Sequence, residues 1–256
     1  MDKQEFAGRK YMVFGASSGI GRACAIRLGE LGASVVLVGR NQERLEETAG
    51  HIPEDRRVIT PCDVSDFDAA EAVVKEAVKR DGVKLDGCVF SVGFTKNLPV
   101  RSTVKSVLAD MYRTNVFSLY AVLKAFASRR VSRDGGAFVS ISSRAAMLPN
   151  KGQAMYGGTK GAINSLTIAA AKELAPRQIR VNTICPDMVA DTPMGEGGLA
   201  LLTPEQLQEC YPLGLLKTED VANAVLFLLS DASKKITGQA IKIDAGDPNY
   251  DVNFSF

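Results

Sequence analysis

Short apolar runs recur along this chain, and between them the apolar residues fall into helical spacing. Residues 10–14 (Lys-Tyr-Met-Val-Phe), 34–38 (Ser-Val-Val-Leu-Val), 58–62, 86–90, 137–141, 179–185 and 240–243 read as strands. Near-continuous apolar runs of this length suit parallel strands covered on both faces. After the first run, Ala23, Ile26, Leu28 and Leu31 are spaced for one buried side of a helix. Residues 69–79 form an amphipathic helix with Ala72, Val73 and Ala77 inward. A long helical region covers 103–130, a second runs to about Ala175, and a third spans 219–229. Residues 187–215 break the rhythm with Pro, Gly and Met and read as a mobile lid. Alternation of this kind, without linker or repeat, predicts the α/β class: one doubly wound parallel sheet of about seven strands spanning 1–256, helices on both faces, with the lid inside it.

Composition narrows the possibilities without choosing among them. A formal net charge of +2 gives no general reason to expect nucleic acid as partner. No apolar run approaches the roughly 18 residues of a membrane span, and Met1-Asp2-Lys3-Gln4-Glu5 lacks the layout of a secretion signal. Cys24, Cys62, Cys88, Cys185 and Cys210 are widely spaced with no C-x-x-C pair, which points to reduced thiols and a cytoplasmic protein. The only histidine, His51, stands in a polar segment, so no metal site is expected.

The first strand ends at Gly15-Ala-Ser-Ser-Gly-Ile-Gly, and a helix follows. Strand, glycine turn and helix together form the setting in which a pyrophosphate rests on a helix N-terminus, the mark of a Rossmann fold. Gly15, Gly19 and Gly21, with Ser17, Ser18 and Ile20 between them, are therefore candidate cofactor residues. The second strand ends at Gly39-Arg40, where an NAD site would carry an acid on the ribose 2′-hydroxyl. Arg40 instead offers a planar cation to a 2′-phosphate and Ser17 a hydroxyl, so NADP(H) is preferred over NAD(H). Asp63 and Val64 close the third strand, where an adenine edge would lie.

The chemistry is concentrated in Ser143–Lys160. Tyr156 and Lys160 are four residues apart and share one face of a helix. A nearby ammonium favours the phenolate, so the Tyr156 pKa is expected to fall below its usual value of about 10. Ser143, thirteen residues before Tyr156, would hold a substrate oxygen and stabilise charge there. This set moves a proton at an oxygen while a hydride moves at the attached carbon.

With these motifs in place, the chain resembles the short-chain dehydrogenase/reductase family over nearly its whole length, and most closely the 3-oxoacyl-carrier-protein reductase type. The resemblance rests on Gly15/Gly19/Gly21, Asp63-Val64, Asn115, Ser143, Tyr156-x-x-x-Lys160, and Pro186 before Thr192-Pro193-Met194. It implies Tyr156 as general acid/base, Ser143 on the substrate oxygen, and Lys160 on the nicotinamide ribose. It further implies Asn115 holding a relay water, Val189 and Thr192 on the carboxamide, and Gly93 passing close to the cofactor. Ser142 competes with Ser143, and the family distance favours Ser143. Departures are Phe14 for Thr, Ser91-Val92-Gly93 for Asn-Ala-Gly, Pro186-Asp187 for Pro-Gly, and one extra residue before Thr192.

Phe94, Met147, Leu148, Met155, Met188 and Met194 are candidate pocket residues for a small-molecule carbonyl substrate. Arg129, Arg130, Arg133 and Arg177 form a basic patch that could meet an acidic carrier bearing the substrate. Apolar residues on more than one side of the two long helices (Val116, Leu119, Val122 and Leu123; Ile163, Leu166 and Ile168–Ala171) imply self-association. The resemblance makes the assembly a homotetramer or homodimer, and the run Asp244–Tyr250 could close over a neighbouring subunit's site. Two other readings stay open: a dinucleotide-binding or scaffold protein without turnover, and a sugar-modifying enzyme of the same fold.

Overall fold

Seven parallel strands build one sheet in a computed structural model that describes residues 3–246. The strands are β1 (Lys10–Phe14), β2 (Ser34–Gly39), β3 (Arg57–Pro61), β4 (Leu85–Phe90), β5 (Ser132–Ile141), β6 (Arg180–Pro186) and β7 (Ala240–Ile243), in the order β3-β2-β1-β4-β5-β6-β7. The strand order reverses between β1 and β4, and ligand crevices open at such a point in parallel sheets. The last part of the run 244–250, from residue 247 on, lies outside the described residues.

Strand residues divide between two cores with a period of two. Tyr11, Val13, Val35, Leu37, Val89, Val139 and Ile184 face one side, where they pack with α2 (Gly19–Glu30), α3 (Gln42–Ala49) and α10 (Thr218–Leu229). Met12, Phe14, Val36, Val38, Cys88, Phe90 and Phe138 face the other, with α4 (Phe67–Lys79), α6 (Ser118–Phe126) and α7 (Ala154–Leu174). Burying both faces explains why β1 and β2 read as near-continuous apolar runs. A short helix, α1 (Lys3–Phe6), precedes β1, and its Phe6 stacks on Tyr11.

Several helices differ in detail from their sequence reading. In α2 the buried face is Gly21, Cys24, Ala25 and Leu28, leaving Ala23 and Ile26 half-buried. In α4 it is Ala70, Val73, Val74, Ala77 and Val78, and Ala72 is exposed. The region 103–130 is not one helix. It runs as α5 (Lys105–Tyr112), a π-helical turn over Arg113–Phe117 that carries Asn115, and then α6. The segment 187–215 is not irregular either: α8 (Pro193–Leu199) and α9 (Pro204–Cys210) form within it, each capped by a threonine hydroxyl, Thr192 and Thr203. Leu199, Cys210 and Tyr211 give it a small core of its own, with Met188 and Leu207 against it.

Buried cations serve the fold rather than a partner. Arg180 on β6 donates to the carbonyls of Leu228, Leu229 and Ser230, the negative end of α10. Lys10 is buried against Asp81, at 2.7 Å, and the carbonyl of Ala77. Arg177 reaches Asp134 at 2.8 Å and the carbonyls of Ala127 and Ser132. Arg129 pairs with Asp134 and Arg133 with Asp86. The expected basic patch is therefore largely neutralised, and one of its members is inside the protein. None of the five cysteines is disulfide-bonded, and among the described residues no helix is long and apolar enough to cross a membrane.

Candidate active site

A cleft of about 830 Å³ opens at the C-terminal ends of the strands, over the point where the strand order reverses. Its cofactor half is shaped by the glycine turn. A β-carbon on Gly15 would lie 2.5 Å from the Ser91 carbonyl oxygen, and one on Gly21 would lie 2.3 Å from the carbonyl oxygen of Gly15. Gly15 also has φ 79°, a left-handed conformation that favours glycine. Ser18 is the N-cap of α2 in extended conformation and makes no side-chain cap, so the first N–H groups of the helix face the cleft for an anion. Ser17, Gly19, Ile20, Arg40, Asp63, Val64, Gly93, Val189 and Thr192 line the same cleft. These residues fit a dinucleotide.

Arg40 is exposed at the end of β2, and its charge helps hold the Asp63 carboxyl below the usual range; the larger cause is the Ser65 backbone N–H. Thr192 donates from its hydroxyl to the Val189 carbonyl at 2.8 Å and accepts from the Gly195 N–H at 3.0 Å. Its side-chain hydroxyl therefore holds the turn into α8, while the residue as a whole borders the cleft.

Ser143 lies just past the end of β5, with its hydroxyl accepting from the Ala145 N–H at 3.1 Å and hydrogen-bonded to Tyr156. Ser142 points the other way, donating to the Lys160 carbonyl at 3.0 Å inside the protein. Alternation at the strand end thus sends the two neighbouring serines to opposite sides. The Tyr156 hydroxyl also contacts the Met194 sulfur, at 3.9 Å, which reaches over from α8. Lys160 is buried, donates to the Ile141 carbonyl at 2.9 Å, and lies 5.6 Å from the centre of the Tyr156 ring.

The expected lowering of the Tyr156 pKa is not what this geometry gives. Burial pushes the phenol up to about 12, against a smaller lowering by Ser143. Burial also pushes the Lys160 ammonium down to about 8. The ammonium lies against the ring and the Ile141 carbonyl rather than beside the phenolic oxygen, so desolvation outweighs its attraction.

Asn115 is fully buried on the π-helical turn, and π-turns in helices often mark functional sites. Its amide oxygen accepts from the Phe94 N–H, while its amide nitrogen donates to the Phe94 carbonyl and to Thr159 Oγ1, at 3.0, 3.0 and 3.1 Å. With its acceptor and both donors used, the side chain fixes the loop after β4 to α7. Thr159 in turn donates to the Tyr156 carbonyl at 2.7 Å.

Of the apolar pocket candidates, Phe94, Met188 and Met194 line the cleft. Met147 and Leu148 are exposed and not part of its lining, and Met155 packs beside Met111, Ala145 and Tyr156. Sequence reading missed the polar wall made by Thr95, Asn97, Asn150 and Gln153. These residues sit in loops with no periodicity to mark them; nearness to Ser143 and Tyr156 in the chain was the only signal for Asn150 and Gln153. It also missed Thr159, although that residue lies within the Tyr156–Lys160 turn.

Fold and cleft together define a dinucleotide-binding protein with a Ser-Tyr-Lys constellation at its strand ends. The chain belongs to the short-chain dehydrogenase/reductase family: residues 15–247 match the family profile described as enoyl-(acyl carrier protein) reductase. It is 33% identical over 249 residues to carbonyl reductase [NADPH] 2 of Sus scrofa, covering 95% of this chain and 98% of that one. It is also 33% identical over 246 residues to L-xylulose reductase of Bos taurus, covering 94% and 96% of the two chains. A solved short-chain type dehydrogenase/reductase from Mycobacterium ulcerans superimposes with a TM-score of 0.86 at 34% identity, covering 94% of this chain and 90% of that one.

The buried Lys160 has a consequence for stability that is independent of turnover. A lysine whose pKa drops from 10.5 to about 8 on folding costs the fold stability wherever it is charged in both states. The cost is full below pH 8 and is relieved as pH rises to 10.5, because there the unfolded chain binds the extra proton. Lys160→Met should therefore be the more stable protein at pH 7 by roughly 3 kcal/mol. Urea unfolding of both proteins should show the gap closing between pH 8 and 10.5; a gap independent of pH would show that folding leaves the Lys160 pKa unshifted.

Proposed function

We propose that this protein is an NADP(H)-dependent carbonyl reductase that converts a small, polar ketone or aldehyde to the alcohol. The observation that carries this reading is the Tyr156 hydroxyl, hydrogen-bonded to Ser143 inside the cleft with Lys160 packed under its ring. A reduced nicotinamide bound in the crevice would supply the hydride. Ser143 and Tyr156 would both hydrogen-bond the substrate oxygen, which fixes the carbonyl and stabilises the charge that develops on it. A phenol with a pKa pushed up to about 12 stands protonated at neutral pH, ready to give its proton to that oxygen. Lys160 would hold the nicotinamide ribose, and its ammonium is a source from which Tyr156 regains its proton. Asn115 acts on the site through Phe94 and Thr159 and is a positioning residue.

The lining supports a substrate with a polar and an apolar side. Thr95, Asn97, Asn150 and Gln153 share the lining with Met188, Met194 and Leu201. Relatives named for L-xylulose and for general carbonyl reduction agree with a small oxygenated carbonyl compound. A carrier-borne 3-oxoacyl substrate is less well supported, because the arginines that would meet an acidic carrier pair with Asp86 and Asp134. NADP(H) is favoured by Arg40 and Ser17 in the lining of the same cleft and by the absence of an acid at Gly39. The intact constellation speaks against a scaffold without turnover, and we read the chain as one catalytic domain with 187–215 as its cover. Phe117, Tyr120 and Ile168 are half exposed on α6 and α7 or just before them, which supports a homodimer or homotetramer.

Tyr156→Phe should retain NADPH binding and its unfolding midpoint while turnover falls by at least about a hundredfold. NADPH oxidation with 2,3-butanedione, L-xylulose and a 3-oxobutanoyl thioester tests both the mechanism and the substrate class; turnover close to wild type would rule out the assigned acid. Arg40 should give NADPH an advantage over NADH of about ten- to a hundredfold in dissociation constant, the scale of one charge-assisted contact. Replacing Gly39 by Asp together with Arg40 by Leu should reverse that order, since the new carboxylate would point toward Ser17. Equal affinities in the wild type would show that Arg40 does not reach the cofactor. Sedimentation at micromolar concentration should give a dimer or tetramer, and a stable monomer would show that the α6 and α7 faces stay unpaired.

A further inference from the structure

The family pattern has Pro-Gly after the sixth strand, and this chain has Pro186-Asp187 there. The acid is held in a built setting. Its backbone N–H donates to the Ile243 carbonyl at 2.9 Å, which fixes the residue at the end of β6 beside β7. Its side chain is mostly buried, and Oδ2 lies 3.8 Å from Nε of the buried Arg144. The same oxygen accepts from the Tyr211 hydroxyl at 3.4 Å. Arg144 directly follows Ser143, while Tyr211 directly follows α9 and belongs to the small core beneath α8 and α9. All three residues line the cleft.

We propose that Asp187 is a positioning residue that ties the cover, residues 193–211, to the strand ends carrying Ser143. One carboxylate oxygen joins three pieces: the turn after β5, the turn after β6, and the far end of the cover. Between Asp187 and Tyr211 the chain makes two short helices and two turns, and α8 brings Met194 onto the Tyr156 hydroxyl. With the far end held at Asp187, α8 is held over Tyr156 and Ser143; without it, the far end keeps the bond from the Leu213 N–H to the Ala245 carbonyl, at 3.2 Å, and its apolar packing, but loses this link to the strand end that carries Ser143. Glycine at position 187 could not make this link. The tether thus favours the closed cleft and sets how well a small substrate is retained, while leaving the acid, its serine and its lysine in place.

The kinetic part of this proposal rests on the reductase reading, and a second readout does not. Asp187→Asn keeps the shape and removes the charge; Tyr211→Phe removes only the hydroxyl, so it serves should the first variant fold poorly beside the buried Arg144. With 2,3-butanedione and NADPH, each variant should show KM raised about five- to twentyfold with kcat within about twofold of wild type, the split expected for lost substrate retention. Amide hydrogen exchange over 193–211, in the protein with NADPH added, should rise about tenfold or more in each variant while β5 and α7 keep wild-type protection. The double variant should exchange no faster than the faster single one, because both changes break one link. Wild-type exchange over 193–211 in both single variants, or effects that add in the double variant, would overturn the tether. Exchange is read whether or not the diketone is turned over, so failure of the tether and failure of the reductase reading remain separate results.

Discussion

The placement of the Lys160 ammonium on the carbonyl of Ile141 is the contact on which the site depends. Ile141 is the last residue of β5, so the contact fastens the first turns of α7 to the strand end that delivers Ser143. Tyr156, one turn earlier on the same face, is thereby set over Ser143. Ser142 strengthens the join by donating to the backbone carbonyl of Lys160. The arrangement keeps a cation inside the protein at a cost in stability, in exchange for a fixed distance between two groups that must share one substrate oxygen. The Asn115–Phe94–Thr159 bonds extend the same join to the loop after β4. Two neighbouring strands, the π-helical turn and α7 therefore converge on one phenol.

Much of this was legible in the sequence because it follows from periodicity and backbone need. Strands buried on both faces leave continuous apolar runs, and all seven were found within a residue or two, except that β5 begins five residues earlier, through Ser132–Gly136, which carry no apolar run. Gly15 and Gly21 were legible because no β-carbon fits where they stand. The two-helix cover was not, since α8 and α9 are too short to show helical spacing among Gly, Pro and Met. The π-turn at Asn115 is hidden for a different reason: it adds a residue to the helix without changing its composition. The inward face of α4 was misjudged because Ala72 and Val73 are adjacent, and only the docking angle against the sheet decides which is covered.

Electrostatics was the least legible part. Sequence spacing put a cation near Tyr156, and that much is seen, but whether it raises or lowers a pKa depends on burial and on where the charge points. The buried Lys10, Arg177 and Arg180 make the same point. In sequence, Arg177 belonged to a cluster of surface cations; in the fold it is a brace between helix ends and a carboxylate. Asp187, by contrast, could be recognised from sequence as unusual but not as connected, because its partners lie in segments far along the chain.

The strand order also has a consequence for how the chain is made. β1, β2 and β3 are neighbours both in sequence and in the sheet, so the first 61 residues can pair as they leave the ribosome. The next strand, β4, does not extend that edge; it adds to the opposite side of β1. Gly15 meets the Ser91 carbonyl only once that addition has occurred, since Ser91 follows β4 and its N–H bonds to Phe14. A growing chain therefore carries the whole phosphate-binding turn well before it owns the opposite wall of the crevice. Until residue 91 has emerged, the nascent segment must hold together by the packing of its own helices on β1, β2 and β3.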